Sequence, residues 1–81
     1  MAAAPAVDDF LAELSTQRRM SPHTATAYAR DLARLVELAG ATELAALTPH
    51  DIRHFVGRLH AGGLAPASIA RTLSAWRSFF Q

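Results

Sequence analysis

A chain of 81 residues is enough for one small domain with a modest core, and too short for two. Without cysteine it can hold neither a disulfide framework nor a thiolate metal site. With 51% apolar residues, many of them alanine, and only four glycines and four prolines, it reads as a compact helical fold rather than a disordered one. The net charge of +1 is unevenly placed: residues 1–51 carry four arginines against seven acids, a net −3, and residues 52–81 carry four arginines and no acid, a net +4. That asymmetry points towards a polyanionic partner. Every basic residue is arginine, the side chain suited to bidentate contacts with phosphate and guanine, although a G+C-rich genome produces the same bias.

The alanine-rich start has no basic residue before it and no long apolar run after it, so neither a secretory signal nor a membrane span is expected and the chain reads as cytoplasmic. A first helix is predicted from about Ala6 to Arg18, with Val7, Phe10, Leu11 and Leu14 as its apolar stripe, Asp8 and Asp9 in its first turn and Arg18 in its last. The second begins at the N-cap Ser21 with Pro22 in the first helical position, and ends at Gly40. Tyr28, Leu32, Leu35 and Ala39 form its inward stripe, flanked by Ala25 and Val36; His23, Thr26, Arg30 and Glu37 face the other way. A short turn over Thr42 to Ala46 follows, with Leu44 and Leu47 plugging the core. Thr48, Pro49 and Asp51 open a third helix with a near-capping-box, Ile52, Phe55, Val56 and Leu59 turn inward, and Gly62 and Gly63 stop it.

The fourth helix starts near Pro66 and runs to Gln81 without a stop signal, an end that fits a fragment cut within a helix. Ile69, Leu73, Trp76 and Phe80 give its core stripe; Arg71, Ser74 and Ser78 point outward, Ser68 and Ala75 lie on an edge of that outer face, and Arg77 flanks the stripe.

Little in the sequence suggests chemistry on covalent bonds. His50 and His54 have the i, i+4 spacing of a zinc pair, but no downstream acid supplies a further ligand, and solvated surface histidines explain them. No serine sits in a nucleophile motif, and Tyr28 falls on a core stripe. No metal or other cofactor is expected. What remains are the outer faces of the second and fourth helices. Ser21, His23, Thr24, Thr26 and Arg30 on one, and Ser68, Arg71, Thr72, Ser74, Arg77 and Ser78 on the other, combine short hydroxyls with arginine, and no acid interrupts the fourth helix. Hydroxyls let a helix come close to phosphate, and arginine neutralises phosphate or reads guanine. A solvated helix face has the same pattern.

Two stretches resemble a known family. Ser21, Thr24, Tyr28, Asp31 and Leu32 follow the S-x-x-T-x-x-x-Y-x-x-D-L opening of the second helix in XerC/XerD-type tyrosine recombinases. Residues 63–80, from Gly63-Leu64 through Ser68-Ile69, Arg71, Leu73-Ser74-Ala75 and Arg77-Ser78-Phe79-Phe80, are similar to the family's fourth helix and lean towards XerC. Ala65 departs from the pattern, replacing the serine often found as N-cap.

The resemblance implies an all-α, orthogonal four-helix SAM-like bundle: the core-binding domain of a tyrosine recombinase, occupying residues 1–81 as a single amino-terminal domain. The catalytic arginines, histidines, lysine and tyrosine of the family belong to a further domain, so the fragment is not expected to be an enzyme, whereas its parent is expected to cleave and rejoin DNA, as in chromosome dimer resolution. The expected partners are double-stranded recombination-site DNA, gripped by the second and fourth helices, and a second, XerD-like protomer in the assembled complex; the isolated domain is expected to be monomeric. Matching positions give Ser21, Thr24, Arg30, Ser68, Arg71, Ser74 and Arg77 as candidate DNA contacts. His23, Thr26 and Thr72 are added by helix geometry, and Arg18 and Arg19 from their place just before the second helix. The alternative is a helical protein-interaction domain that binds no nucleic acid.

Overall fold

The computed structural model describes residues 4–17 and 21–81. Its elements are α1 (Ala4–Gln17), α2 (Pro22–Ala39), a single 3-10 turn (Leu44–Ala46), α3 (Pro49–Ala61) and α4 (Pro66–Phe80); the described residues contain no strand. Packing centres on α2, which lies against both α1 and α4, while α3 closes on α4.

The helix boundaries follow from local chemistry. Ser21 has extended backbone angles and its hydroxyl oxygen accepts the Thr24 N–H, with Pro22 fixing the next turn. At α3 the capping box is complete: the Thr48 hydroxyl accepts the Asp51 N–H at 3.2 Å, and the Asp51 carboxylate accepts the Thr48 N–H at 2.9 Å. That backbone N–H, and then the Thr48 hydroxyl, hold the Asp51 carboxyl below its ordinary range. Gly40 (φ 59°) and Gly63 (φ 93°) supply positive φ angles where the chain leaves α2 and α3.

Ala65 sits at the N-cap of α4 with φ −65° and ψ 148° and makes no capping bond. Those are the angles an N-cap serine adopts, so Ala65→Ser requires no rearrangement. It is expected to stabilise the chain by about 1 kcal/mol, read as a rise of roughly 4–8 °C in Tm by circular dichroism.

Val7 of α1, Leu32, Leu35 and Ala39 of α2, Leu44 of the 3-10 turn, Phe55 of α3 and Trp76 of α4 are buried together. Phe55 and Trp76 meet edge to face at 6.4 Å, and Phe10 meets Phe79 in the same way at 5.3 Å. Leu47, Ile52 and Leu59 pack around this cluster half-buried, as the sequence leads one to expect.

Two details differ from the sequence reading. Helix α1 begins at Ala4, so Asp8 and Asp9 lie in its second turn, where their interaction with the helix dipole is weaker; Arg18 lies outside the described residues. The second difference is the rotation of α4. Its buried residues are Ile69, Thr72, Ala75 and Trp76, while Leu73 is half-buried and Phe80 is 45% exposed. Relative to the stripe Ile69, Leu73, Trp76 and Phe80, the helix has turned by about 60° towards α2. The cause is polar: Thr72 and Trp76 both bond to Asp31.

Candidate nucleic-acid interface

Asp31 sits where α2 and α4 meet, and it is fully buried. Its backbone carbonyl accepts the Trp76 indole N–H at 2.8 Å. One carboxylate oxygen, Oδ1, accepts from the Thr72 hydroxyl at 3.2 Å and from Arg34 at 3.3 Å. The other, Oδ2, has no hydrogen-bond partner and faces the Arg71 Nε at 3.6 Å. Arg34 comes from α2 and Arg71 from α4, so one carboxylate brings the two helices' guanidinium groups side by side. Their side chains remain 31% and 48% exposed.

Arg30 lies one turn before Arg34 on the same face of α2 and is exposed. His23 and Thr26 continue that exposed face towards the start of the helix. In the other direction Glu37, three residues past Arg34 and also exposed, places a negative charge at the end of the face. The basic surface therefore spans His23 to Arg34 of α2 and reaches across to Arg71 of α4.

Hydrogen bonding separates the candidate contacts further. The Thr26 hydroxyl donates to the Pro22 carbonyl at 2.9 Å, and the Ser74 hydroxyl to the Ala70 carbonyl at 3.2 Å. The Ser21 and Thr24 hydroxyls bond to each other at 2.9 Å. These side chains are exposed, yet Thr26 and Ser74 must each break a local bond before donating to phosphate, while only one of the Ser21 and Thr24 hydroxyls spends its proton on the other. Ser68 is half-buried. The charged donors on this surface belong to the arginines, with His23 beside them.

Thr72 is a correction. Placed on the outer face by sequence geometry, it is fully buried, with its hydroxyl bonded to the Ser68 carbonyl at 2.8 Å and to Asp31, so it cannot touch an external ligand. Ala75, expected at the edge of that face, is likewise buried against the neighbouring helix. Arg77 is exposed but stands apart from Arg71. It borders an apolar groove of roughly 590 Å³ between α3 and α4, together with Arg53, Ile52, Leu73 and Phe80. Arg18 and Arg19 lie outside the described residues.

Sequence reasoning missed Asp31 and Arg34. The signal was present, because Asp31 falls three residues after Tyr28 and four before Leu35, within the inward stripe, with Arg34 at i+3 to pair with it. His50 and His54 are exposed, and among the described residues no group of three or more His, Cys, Asp or Glu side chains is arranged to hold a metal ion. No helix among the described residues is long and apolar enough to cross a membrane.

Comparison with known proteins gives the family of the chain. The chain is 44% identical over 81 residues to tyrosine recombinase XerC 1 of Ralstonia nicotianae, covering 95% of this chain and 25% of that protein. It is 45% identical over 78 residues to tyrosine recombinase XerC of Xanthomonas campestris pv. campestris (93% of this chain, 24% of that protein) and 42% identical over 78 residues to the XerC of Pseudomonas aeruginosa (93% and 26%). The chain thus spans about a quarter of the length of these relatives. No solved structure gives a significant match. Residues 7–81 match the family described as phage integrase, N-terminal SAM-like domain, and the chain belongs to that family.

Proposed function

We propose that this chain is the DNA-gripping, core-binding domain of a XerC-type site-specific tyrosine recombinase. It holds a recombination-site duplex in the cytoplasm with the outer faces of α2 and α4. The parent protein cleaves and rejoins DNA through residues outside this chain, acting with a second, XerD-like protomer in chromosome dimer resolution. The observation that carries the reading is the convergence of Arg34 and Arg71 on one carboxylate, which merges the two helix faces into a single basic surface with Arg30 one turn away. Arginine forks at that surface bond phosphate oxygens in pairs and fix the register of the domain on the duplex. His23, Ser21, Thr24, Thr26, Ser68 and Ser74 border the same surface and supply shorter contacts.

The test is the salt dependence of binding to a short fluorescein-labelled duplex, followed by anisotropy. Each neutralised phosphate releases condensed counterions, so three or four arginine contacts give a fall of about a hundredfold in affinity between about 50 and 200 mM salt. A helical protein-interaction domain has no such dependence. A flat salt profile, or no binding at low salt, overturns the proposal.

A further inference from the structure

Asp31 is an unusual residue to find at the centre of a surface that meets a polyanion. It carries a negative charge, it is fully buried, and one of its carboxylate oxygens has no hydrogen bond. Buried carboxylates kept for stability are normally satisfied at both oxygens, and an unsatisfied one detracts from the fold. The shortest polar contact that ties α2 to α4 does not need this charge, and the Thr72 bond to the carboxylate is a shared one. Trp76 bonds the backbone carbonyl of Asp31, which any residue provides. The Thr72 hydroxyl has a single proton, and its shorter bond is to the Ser68 carbonyl at 2.8 Å rather than to the carboxylate at 3.2 Å. The charged partners of the carboxylate are therefore two half-exposed arginines from different helices.

Resting on the DNA-binding reading above, we infer that Asp31 is a positioning residue whose buried carboxylate holds the guanidinium groups of Arg34 and Arg71 as a preoriented pair for one stretch of DNA backbone. Arginine loses much rotamer freedom when it is fixed, and an arginine already fixed before binding loses less on contact with phosphate. Arg71 meets Asp31 through its Nε, an ion pair that does not call on its two terminal nitrogens, the fork that bonds phosphate in pairs. The 3.6 Å separation is longer than a hydrogen bond, so what holds the guanidinium towards Asp31 is the attraction of opposite charges.

Substitution by asparagine separates positioning from simple electrostatics, because the two predict opposite signs. Asp31→Asn removes a negative charge from beside the duplex, and Coulomb's law alone makes binding tighter. If the carboxylate orients the arginines, binding weakens. The asparagine oxygen can still accept from Arg34, but its NH₂ then faces the Arg71 Nε–H, donor against donor, and Arg71 is released.

The experiment compares the 81-residue chain with its Asp31→Asn variant in anisotropy titrations against one labelled duplex, alongside NMR of the arginine Nε–Hε signals in the free proteins. The expected result is a variant that folds, binds about fivefold to tenfold more weakly, and loses a distinct Arg71 Nε–Hε signal. A variant that binds as tightly as the parent chain, or more tightly, overturns the inference while leaving the DNA reading intact. A parent chain that binds no duplex overturns both. Should Asp31→Asn fail to fold, Arg71→Lys replaces a half-exposed side chain, keeps its charge and removes the Nε. It is expected to weaken binding severalfold with the salt slope unchanged, and an unchanged affinity overturns the inference.

Discussion

Replacing Trp76 with alanine is expected to abolish the cooperative thermal transition of this chain. The indole is 2% exposed, it meets the Phe55 ring edge to face, and its N–H bonds the Asp31 carbonyl at 2.8 Å. It thereby joins α3, α4 and α2. Truncating a buried tryptophan to alanine costs about 3–5 kcal/mol, through lost burial and the cavity that remains. A domain of this size has a total stability near the low end of the usual range, about 5 kcal/mol, because so much of its surface stays exposed. The loss equals most of what is available. Trp76→Phe refines the test. It keeps an aromatic ring in the core but leaves the Asp31 carbonyl without its donor, for an additional cost of about 1–3 kcal/mol over a simple volume change. Circular dichroism melts should show no transition for the alanine variant and a lowered but cooperative one for phenylalanine. A cooperative alanine melt within a few degrees of the parent would place the core elsewhere.

The same residue shows why the sequence yields helix boundaries more readily than helix orientation. Ser21-Pro22, Thr48-Pro49 with Asp51, Gly40 and Gly63 act on backbone atoms a few residues away, so local reading suffices, and the helices begin and end near where those residues place them. The facing of α4 depends on α2, which is distant in the chain. Apolarity alone selects Leu73 and Phe80 for the core, whereas the bonds from Thr72 and Trp76 to Asp31 turn the helix and bury a threonine instead. A polar pair between residues 31 and 72 leaves no periodic trace in either helix. The same is true of the site. Arg30 and Arg71 are legible as outward arginines on two helices; that Arg34 and Arg71 share one carboxylate is a property of the packing.

Arg30→Glu is expected to remove most DNA binding while leaving the fold unchanged. Arg30 is exposed, forms no ion pair among the described residues and lies outside the core, and glutamate matches arginine in helix propensity. Its thermal midpoint should therefore stay within about 2–4 °C of the parent, since exposed substitutions of this kind change stability by no more than about 0.5 kcal/mol. Binding should respond far more strongly. Losing one arginine–phosphate contact lowers the salt slope by about one, and the new carboxylate adds repulsion beside Arg34, where the two helix faces meet. A fall of at least about tenfold in affinity at low salt follows, shrinking as added salt screens the repulsion. The informative control is Arg53→Glu, an exposed position on α3 bordering the groove that also holds Arg77. It makes the same change in net charge at a different place. If the duplex is held at the α2–α4 surface, Arg30→Glu weakens binding several times more than Arg53→Glu. Equal losses would mean that the duplex responds to the overall charge of the chain, and the located surface would be wrong. A larger loss at Arg53 would move the interface to the groove between α3 and α4.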